Sequence, residues 1–514
     1  MSVEGAAEYG VKAVACYEEA LTFYKSENIP LDYAMVQNNM GNVYLSGVTG
    51  DQETDLRRAV ACYKEALRFC PLETAPSSHA VIQTNLGFAY AELPAGERAQ
   101  RMQNLHQAIA CYKAALEVYT PETAMAYYAK LQLGLGAAYA NLALEEDGAA
   151  RETSVQPNDA RDENLCAMMA HYEKALVFYT LDDAPLEYAQ MQMDLAQAYT
   201  LLSSGKKAEN LRCAIMCYEE VLQVYTWEDA PQFYAEVQVA LGLIYAQLPD
   251  EIASGGDRTR YLQRATACYE QALRVCTLEA DPEAYAQIMV YMGFAYTQLA
   301  GGERLWDIEH ALVFYQEALR SLASNAPPSF HAGVHAYLGD VYTHLATLDA
   351  ELYLLRAIAC YETSLQVYTP ETTSLVYAHL QDKLGMLYVQ LQSQNWETNL
   401  RKAIACFKQA LRFWYADGET FNMLTTRENL ESTYEALACL YASKGDGSRV
   451  RELYQEVNAL GADDTQRSRF WFSIGETYFR LGRMSEATQA YRKATELSAN
   501  EFALPEVDSV SMMA

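Results

Sequence analysis

The sequence predicts an all-α fold in which antiparallel helix pairs stack into an α-solenoid. One helical phrase, seen for example as AVACYKEAL and AIACFKQAL, occurs nine times in 514 residues. Its aromatic anchors are Tyr17, Tyr63, Tyr112, Tyr172, Tyr218, Tyr269, Tyr315, Tyr361 and Phe407. Successive anchors are 46, 49, 60, 46, 51, 46, 46 and 46 residues apart. A fixed period of this size is typical of repeats that bury their apolar faces only against neighbouring repeats.

A first helix precedes every anchor phrase except the earliest one. It carries a small residue followed three positions later by tyrosine. The small residues are Gly41, Gly87, Gly136, Ala196, Gly242, Gly293, Gly339 and Gly385. Aliphatic residues one and five positions earlier complete an apolar helix face, and in six repeats a proline eleven positions earlier suits the helix start. We expect the small residue to let another helix approach closely.

The anchor phrase forms the second helix of each pair. Its apolar residues follow spacings of three and four, as in Ala357, Tyr361, Ser364 and Leu365. Asparagines just before the first leucine are predicted N-caps. These are Asn104, Asn164, Asn210 and Asn399. Two antiparallel helices in every repeat give the predicted solenoid.

The segment RFWFSIGETYFRLGRMSEATQAYRKATEL resembles a tetratricopeptide repeat. The residues that fit the family pattern are Trp471, Ile474, Gly475, Tyr478, Ala487, Tyr491 and Ala494. A weaker copy before it uses Ala438, Tyr441 and Tyr454. The upstream repeats are similar to extended bacterial-type repeats of about 46 residues. The resemblance implies a right-handed superhelix whose first helices line a concave groove.

The repeat register divides the chain into four predicted segments. Residues 1–26 form an orphan N-terminal helix, which is half a repeat, and residues 27–416 form the extended repeats. Residues 417–498 form two shorter repeats, followed by a flexible tail at 499–514. Residues 144–164 are acidic and polar without apolar periodicity, so we expect a mobile insertion loop there.

The charge balance limits the classes of partner. The net charge is −29, with 38 Lys and Arg against 67 Asp and Glu. Nucleic acids and anionic membranes need clustered cations, so we expect neither as a partner. Two interpretations of the acidity stand: it keeps a tyrosine-rich solenoid in solution, or it attracts a basic partner. No apolar run approaches the roughly 20 residues of a membrane span, and no signal peptide precedes the repeats, so we expect a cytoplasmic protein.

The cysteine and histidine residues do not indicate a disulfide, a metal site or a catalytic site. Seven cysteines share one slot, which predicts small buried side chains rather than disulfides or metal ligands. They are Cys16, Cys62, Cys111, Cys217, Cys268, Cys360 and Cys406. His331 and His335 have the spacing of a zinc helix but lack the accompanying Glu. With no phosphate loop or nucleophile motif either, the sequence predicts no enzyme, no cofactor and no metal.

The resemblance places groove residues three before and one after each small residue, and aromatic residues two before it widen the central patch. The candidate groove residues are Phe88, Leu133, Met193, Val239, Leu243, Val290, Tyr291, Phe294, Tyr337 and Met386. If exposed, such apolar side chains would mark an interaction site. The alternative is that they pack as core in these longer repeats.

We therefore expect a non-enzymatic scaffold or adaptor whose groove holds an amphipathic helix or an extended peptide of a partner protein. One alternative is a regulatory sensor whose solenoid binds a small peptide or apolar ligand and controls a separate effector. Another is a structural solenoid that self-associates through the unpaired helix within residues 1–26.

Overall fold

The computed structural model describes residues 3–47, 51–153, 159–248, 257–300, 304–321, 326–392, 395–417, 420–461 and 464–501. These residues form 21 α-helices, and the chain divides into two compact units, Met1–Val275 and Cys276–Ala514.

Unit 1 contains eleven of the described helices. Their bounds are α1 Val3–Ser26, α2 Pro30–Leu45, α3 Gln52–Phe69, α4 Pro76–Glu92, α5 Arg98–Leu116, α6 Met125–Thr153, α7 Asp159–Leu176, α8 Pro185–Leu201, α9 Lys207–Val224, α10 Pro231–Gln247 and α11 Asp257–Ala272. The even-numbered helices are the predicted first helices, and each packs against the helix that follows it. The first helix of the unit, α1, packs against α2.

Unit 2 contains the other ten described helices. Their bounds are α12 Pro282–Ala300, α13 Leu305–Ser321, α14 Pro328–Leu345, α15 Ala350–Ser364, α16 Ser374–Gln390, α17 Trp396–Asp417, α18 Thr420–Lys444, α19 Gly447–Ala459, α20 Asp464–Arg480 and α21 Met484–Glu501. Pairing again runs from each even-numbered helix to its successor. The predicted all-α fold of stacked helix pairs is confirmed.

In eight of the ten helix pairs described, an anchor ring lies directly on a glycine of the first helix, whereas α8 and α18 carry Ala196 and Ala438 at this position. A Cβ atom added to Gly41 would lie 2.6 Å from Tyr63 Cε1, and one added to Gly385 would lie 2.6 Å from Phe407 Cε1. The same contact joins Gly41 to Tyr63, Gly87 to Tyr112, Gly136 to Tyr172, Gly242 to Tyr269, Gly293 to Tyr315, Gly339 to Tyr361, Gly385 to Phe407 and Gly475 to Tyr491. The predicted close approach is therefore specific: an aromatic ring occupies the space where a side chain would stand.

Two of the buried anchor tyrosines also form hydrogen bonds through their hydroxyl groups. Tyr63 donates to Asn42 Oδ1 at 2.7 Å, and Tyr361 donates to Asp340 Oδ1 at 2.6 Å. Both acceptors come directly after the glycine of the same repeat. Burial raises the pKa of Tyr361, with the Asp340 carboxylate adding to the effect. A buried phenol is tolerated here because its donor is satisfied.

The predicted insertion loop is wrong over most of its length. Helix α6 continues to Thr153 and α7 begins at Asp159, so residues 144–153 and 159–164 are helical. Residues 154–158 lie outside the described part of the chain. The segment LEEDGAARET is polar, but its Leu, Glu, Ala and Arg are good helix formers, and polarity alone does not end a helix. Of the predicted tail, residues 499–501 continue α21 and residues 502–514 also lie outside the described part.

The asparagines predicted as N-caps lie inside their helices instead. Helix α9 begins at Lys207 and α17 at Trp396, each three residues before the asparagine. Asn210 Nδ2 donates to Ser204 O at 3.0 Å, and Asn399 Nδ2 donates to Leu391 O at 2.9 Å. Asn104 and Asn164 likewise lie within α5 and α7. At Asn210 and Asn399 the amide ties the second helix to the preceding connection, which a terminal cap would not do.

All twelve cysteines are free. Cys62, Cys111 and Cys406 are buried as predicted, whereas Cys16 on α1 is exposed. Burial raises the pKa of the Cys62 thiol to about 11. Such thiols are protonated near neutral pH and therefore poor nucleophiles.

One histidine replaces cysteine in the shared slot. His171 Nδ1 lies 2.6 Å from Gln132 Oε1, and its ring stacks on Tyr139 with centroids 5.7 Å apart. Burial, with smaller contributions from Lys174 and Lys113, lowers the pKa of His171 to about 4. This imidazole is neutral in the folded protein at physiological pH.

We expect Gly385→Ala to destabilise unit 2 by about 1–3 kcal/mol, because the new methyl group overlaps the fully buried Phe407 ring. The free energy of unfolding in urea measures this. Gly447→Ala is the matched control, since nothing lies within 4 Å of a Cβ at Gly447. Equal stabilities of the two variants would contradict the packing role of the glycine slot.

We expect unit 1 to lose stability as pH falls from about 6.5, the ordinary histidine value, to about 4. In that window the unfolded chain binds a proton at His171 that the folded chain does not, so acid favours unfolding. His171→Gln should flatten part of the drop in urea midpoint between neutral and acidic pH. His106→Gln, at an exposed position on α5, should leave the drop unchanged; the same drop in both variants would refute the assignment.

Candidate functional site

The candidate groove residues of unit 1 are mostly covered. Phe88 on α4 is exposed, whereas Leu133 on α6 and Val239 and Leu243 on α10 are half-buried. Met193 on α8 is only 9% exposed. For Met193 the alternative of packing as core applies, and Phe88 is the most accessible of the five.

The candidate residues of unit 2 form a more accessible set. Phe294 on α12, Tyr337 on α14 and Met386 on α16 are 36%, 39% and 37% exposed. Tyr291 is half-buried, and Val290 is only 7% exposed. For Val290 the alternative of packing as core applies.

Exposure depends on the slot more than on residue type. Residues three before the small residue are buried or half-buried, and Asn38 and Thr84 are buried although they are polar. Residues one after it are exposed or half-buried, and Phe88 and Phe294 are exposed although they are aromatic. First helices of adjacent repeats contact each other within each unit, as α4 contacts α6 and α12 contacts α14. We infer that the earlier slot packs into this seam between repeats while the later slot faces outward.

Two exposed aromatic residues meet at the centre of the unit 2 set. The Phe294 and Tyr337 rings pack edge to face with centroids 6.2 Å apart. Tyr337 also stacks on the buried anchor Tyr315, with centroids 5.5 Å apart and planes 8° apart. The core therefore fixes the orientation of Tyr337, and Tyr337 in turn supports Phe294.

A charged pair joins Asp340 on α14 to Lys383 on α16. Asp340 Oδ1 accepts hydrogen bonds from Tyr361 Oη and from Lys383 Nζ, the latter at 2.5 Å. The Lys383 ammonium also lies 6.0 Å from the Tyr361 ring centroid. We call Phe294, Tyr337, Asp340, Lys383 and Met386 the unit 2 surface. It combines exposed apolar side chains with a fixed ion pair, which is the usual composition of a recognition site.

The residue two before the small residue has a role that the sequence analysis missed. It covers the anchor of the preceding repeat: Tyr337 lies on Tyr315, Lys383 lies over Tyr361, and Asp194 accepts the Tyr172 hydroxyl at 2.7 Å. In each case the covering residue follows the anchor by 22 residues. This constant separation could have been recognised in the sequence and would have predicted the covering residue.

The corresponding positions at the start of unit 1 are polar. Asn85 Nδ2 donates to Asn38 Oδ1 at 2.9 Å and to Asn42 Oδ1 at 3.2 Å. Asn42 Oδ1 also accepts a hydrogen bond from the Tyr63 hydroxyl. The side-chain oxygens of Asn38 and Asn42 are therefore both hydrogen-bonded. Their hydrogen bonds serve repeat packing in unit 1.

Within the described ranges, no three His, Cys, Asp or Glu side chains lie close enough together to hold a metal ion. His335 on α14 is half-buried, and burial together with His331 lowers its pKa. None of the described helices has the length and apolar composition required to cross a membrane.

One family model matches the C-terminal part of the chain. The tetratricopeptide repeat model matches residues 468–501, which cover most of α20 and all of α21. The chain carries a tetratricopeptide repeat. The Gly475–Tyr491 contact of this repeat is the same contact that holds the upstream pairs, which confirms the resemblance drawn from the sequence. Tetratricopeptide repeat domains are typically non-catalytic and generally mediate protein–protein interaction.

Several solved structures share helical architecture with this chain. A Rap protein complexed with competence and sporulation factor is 13% identical, covers 82% of this chain and 99% of its own, and has a TM-score of 0.35. A signal-transduction ATPase with a tetratricopeptide repeat sensor, PH0952 from Pyrococcus horikoshii, is 13% identical with coverages of 96% and 74% and a TM-score of 0.36. Yeast Tom70 is 12% identical with coverages of 91% and 96% and a TM-score of 0.26. No curated protein sequence matches the chain.

We expect Asp340→Ala to destabilise unit 2 by about 1–3 kcal/mol, because the buried Tyr361 hydroxyl loses its acceptor. Urea unfolding measures the change. Met386→Ala on the same surface should alter stability by less than about 0.5 kcal/mol. If Asp340→Ala lowers the free energy of unfolding no more than Met386→Ala does, the hydrogen bond from Tyr361 to Asp340 does not stabilise the fold.

Proposed function

We propose that the protein is a non-enzymatic scaffold or adaptor that binds an amphipathic helix or extended peptide of a basic partner on the unit 2 surface. The observation that carries this proposal is the exposed aromatic pair Phe294 and Tyr337, held in place by the buried anchor Tyr315. Aromatic side chains with fixed orientation are typical binding hot spots, because little conformational entropy is lost on binding.

The arrangement suits a peptide rather than a compact ligand. Phe294, Tyr337 and Met386 come from α12, α14 and α16, which are the first helices of three successive repeats. Apolar contacts repeated along a row match the spaced anchors of a helix or an extended strand. Met386 adds an adaptable contact, because methionine fits irregular partner surfaces.

Charge favours a basic partner. The chain carries a net charge of −29, which attracts cations over distances of the Debye length and raises their association rate. On the surface itself, Lys383 is held by Asp340, so its charge is largely compensated. A peptide with apolar anchors and flanking Lys or Arg therefore has the complementary chemistry.

The test is affinity capture with mass spectrometry, using the full chain as bait. The variant Phe294→Ser with Met386→Ser removes two exposed contacts and leaves the Tyr337–Tyr315 stack intact. The matched control is Val313→Ser with Leu355→Ser, at exposed apolar positions of the second helices α13 and α15. Circular dichroism checks that all three proteins keep the same helical content.

We expect one partner to be retained by the wild type and by the control but lost from the Phe294, Met386 variant, with affinity at least about 30-fold weaker, the effect of losing hot-spot contacts worth about 2 kcal/mol. Its affinity for the wild type should fall as salt rises, as expected for a basic partner. Equal retention by both variants, or no specific partner of the wild type, would refute the proposal.

A further inference from the structure

A second candidate site in unit 2 shares no residue with the unit 2 surface. Residues of α17, α18 and α19, together with Leu460, line a cavity of about 360 Å³ that is partly open to solvent. This volume is at the lower end of the range of small-molecule sites. The cavity is therefore large enough for a small organic ligand.

The floor of the cavity is apolar and already well packed, since Leu430, Tyr434 and Val457 are all buried. The Tyr434 hydroxyl donates to Glu456 Oε2 at 3.0 Å, so its polar end is satisfied. The accessible apolar surface comes from Leu411, which is half-buried, and Leu460, which is exposed. A ligand that covers these two leucines gains hydrophobic stabilisation in proportion to the apolar area it buries.

The wall of the cavity is basic, contrary to the charge of the chain. The whole sequence has 38 Lys and Arg against 67 Asp and Glu. The cavity lining reverses this ratio, with the three cations Lys408, Arg412 and Arg427 against the single carboxylate of Glu431. This local excess of positive charge requires a specific explanation.

The three cations differ in how far they are neutralised. Arg427 Nε donates to Glu431 Oε1 at 3.1 Å, which pairs these two charges. Lys408 Nζ lies 3.7 Å from Glu456 Oε2, which also accepts the Tyr434 hydroxyl. Arg412 Nη1 donates at 3.4 Å to the neutral Gln409, and no ion pair joins Arg412 to a carboxylate within the described residues. The guanidinium of Arg412 is therefore the group best placed to receive an anion.

We propose that this cavity binds an amphipathic carboxylate, with its apolar body on Leu411 and Leu460 and its carboxylate at Arg412 and Lys408. A guanidinium matches the planar geometry of a carboxylate and can bind both oxygens. A neutral apolar ligand would leave Arg412 without an ionic partner, and a small inorganic anion would leave the two leucines uncovered. The site is independent of the unit 2 surface, so either site can be tested without the other.

Isothermal titration of the full chain with four probes tests this proposal. Decanoate offers a carboxylate on an alkyl chain, and 2-naphthoate offers one on an aryl body. Decanol and decylamine keep the alkyl chain and replace the charge. We expect at least one carboxylate to bind, with the matching alcohol and the amine at least about tenfold weaker, the size of one charge-assisted hydrogen bond. The preferred carboxylate tells whether the apolar body is alkyl or aryl.

Variants separate the cavity from non-specific charge effects. Arg412→Gln should weaken carboxylate binding about tenfold, whereas Arg320→Gln, which removes an exposed cation on α13, should leave it unchanged. Leu460→Asp, at an exposed position that lines the cavity, should also weaken binding while preserving helical content. No carboxylate binding up to about 1 mM, equal affinity for decylamine, or insensitivity to Arg412→Gln would each overturn the proposal.

Discussion

The structure depends on one contact, in which an aromatic anchor ring of the second helix lies on a glycine of the first. A ring such as Phe407 can reach the Gly385 backbone only because no Cβ stands between them. This contact fixes both the separation and the rotation of the two helices, since packed rings leave little freedom. Its recurrence also explains why the repeat is visible in the sequence, since the ring and the small residue return at corresponding positions of each repeat.

The same contact decides which side chains face solvent. Once Tyr315 lies on Gly293, the residue that follows this glycine, Phe294, points outward, and Tyr337 of the next repeat covers the anchor ring. Two slots therefore carry both packing contacts and the exposed side chains of the unit 2 surface. Where these slots hold Asp340 and Lys383, Asp340 accepts the hydrogen bond of the Tyr361 hydroxyl and Lys383 lies over the Tyr361 ring. Changes at these positions alter stability together with surface chemistry.

Periodicity was sufficient to predict the helix pairs and the close approach at glycine, because both are local to one repeat. It could not separate Val290 from Phe294. Both are apolar residues on α12, and the burial of Val290 depends on how adjacent repeats pack. The helical ends of the 144–164 segment were missed because composition was weighed above helix propensity. The stacking of Tyr337 on Tyr315 was available in the constant separation of 22 residues.

The basic cavity follows from a change in repeat length. Helix α17 has 22 residues, whereas the next second helix, α19, has only 13. A shorter helix covers less of its neighbour, and the cavity is lined by Leu411 and Arg412 towards the end of α17 and by Leu460, directly after α19. The junction between long and short repeats thus leaves a space that regular stacking would fill. Because each repeat contacts only its neighbours, such a site can be acquired at one junction without disturbing the anchor contacts elsewhere.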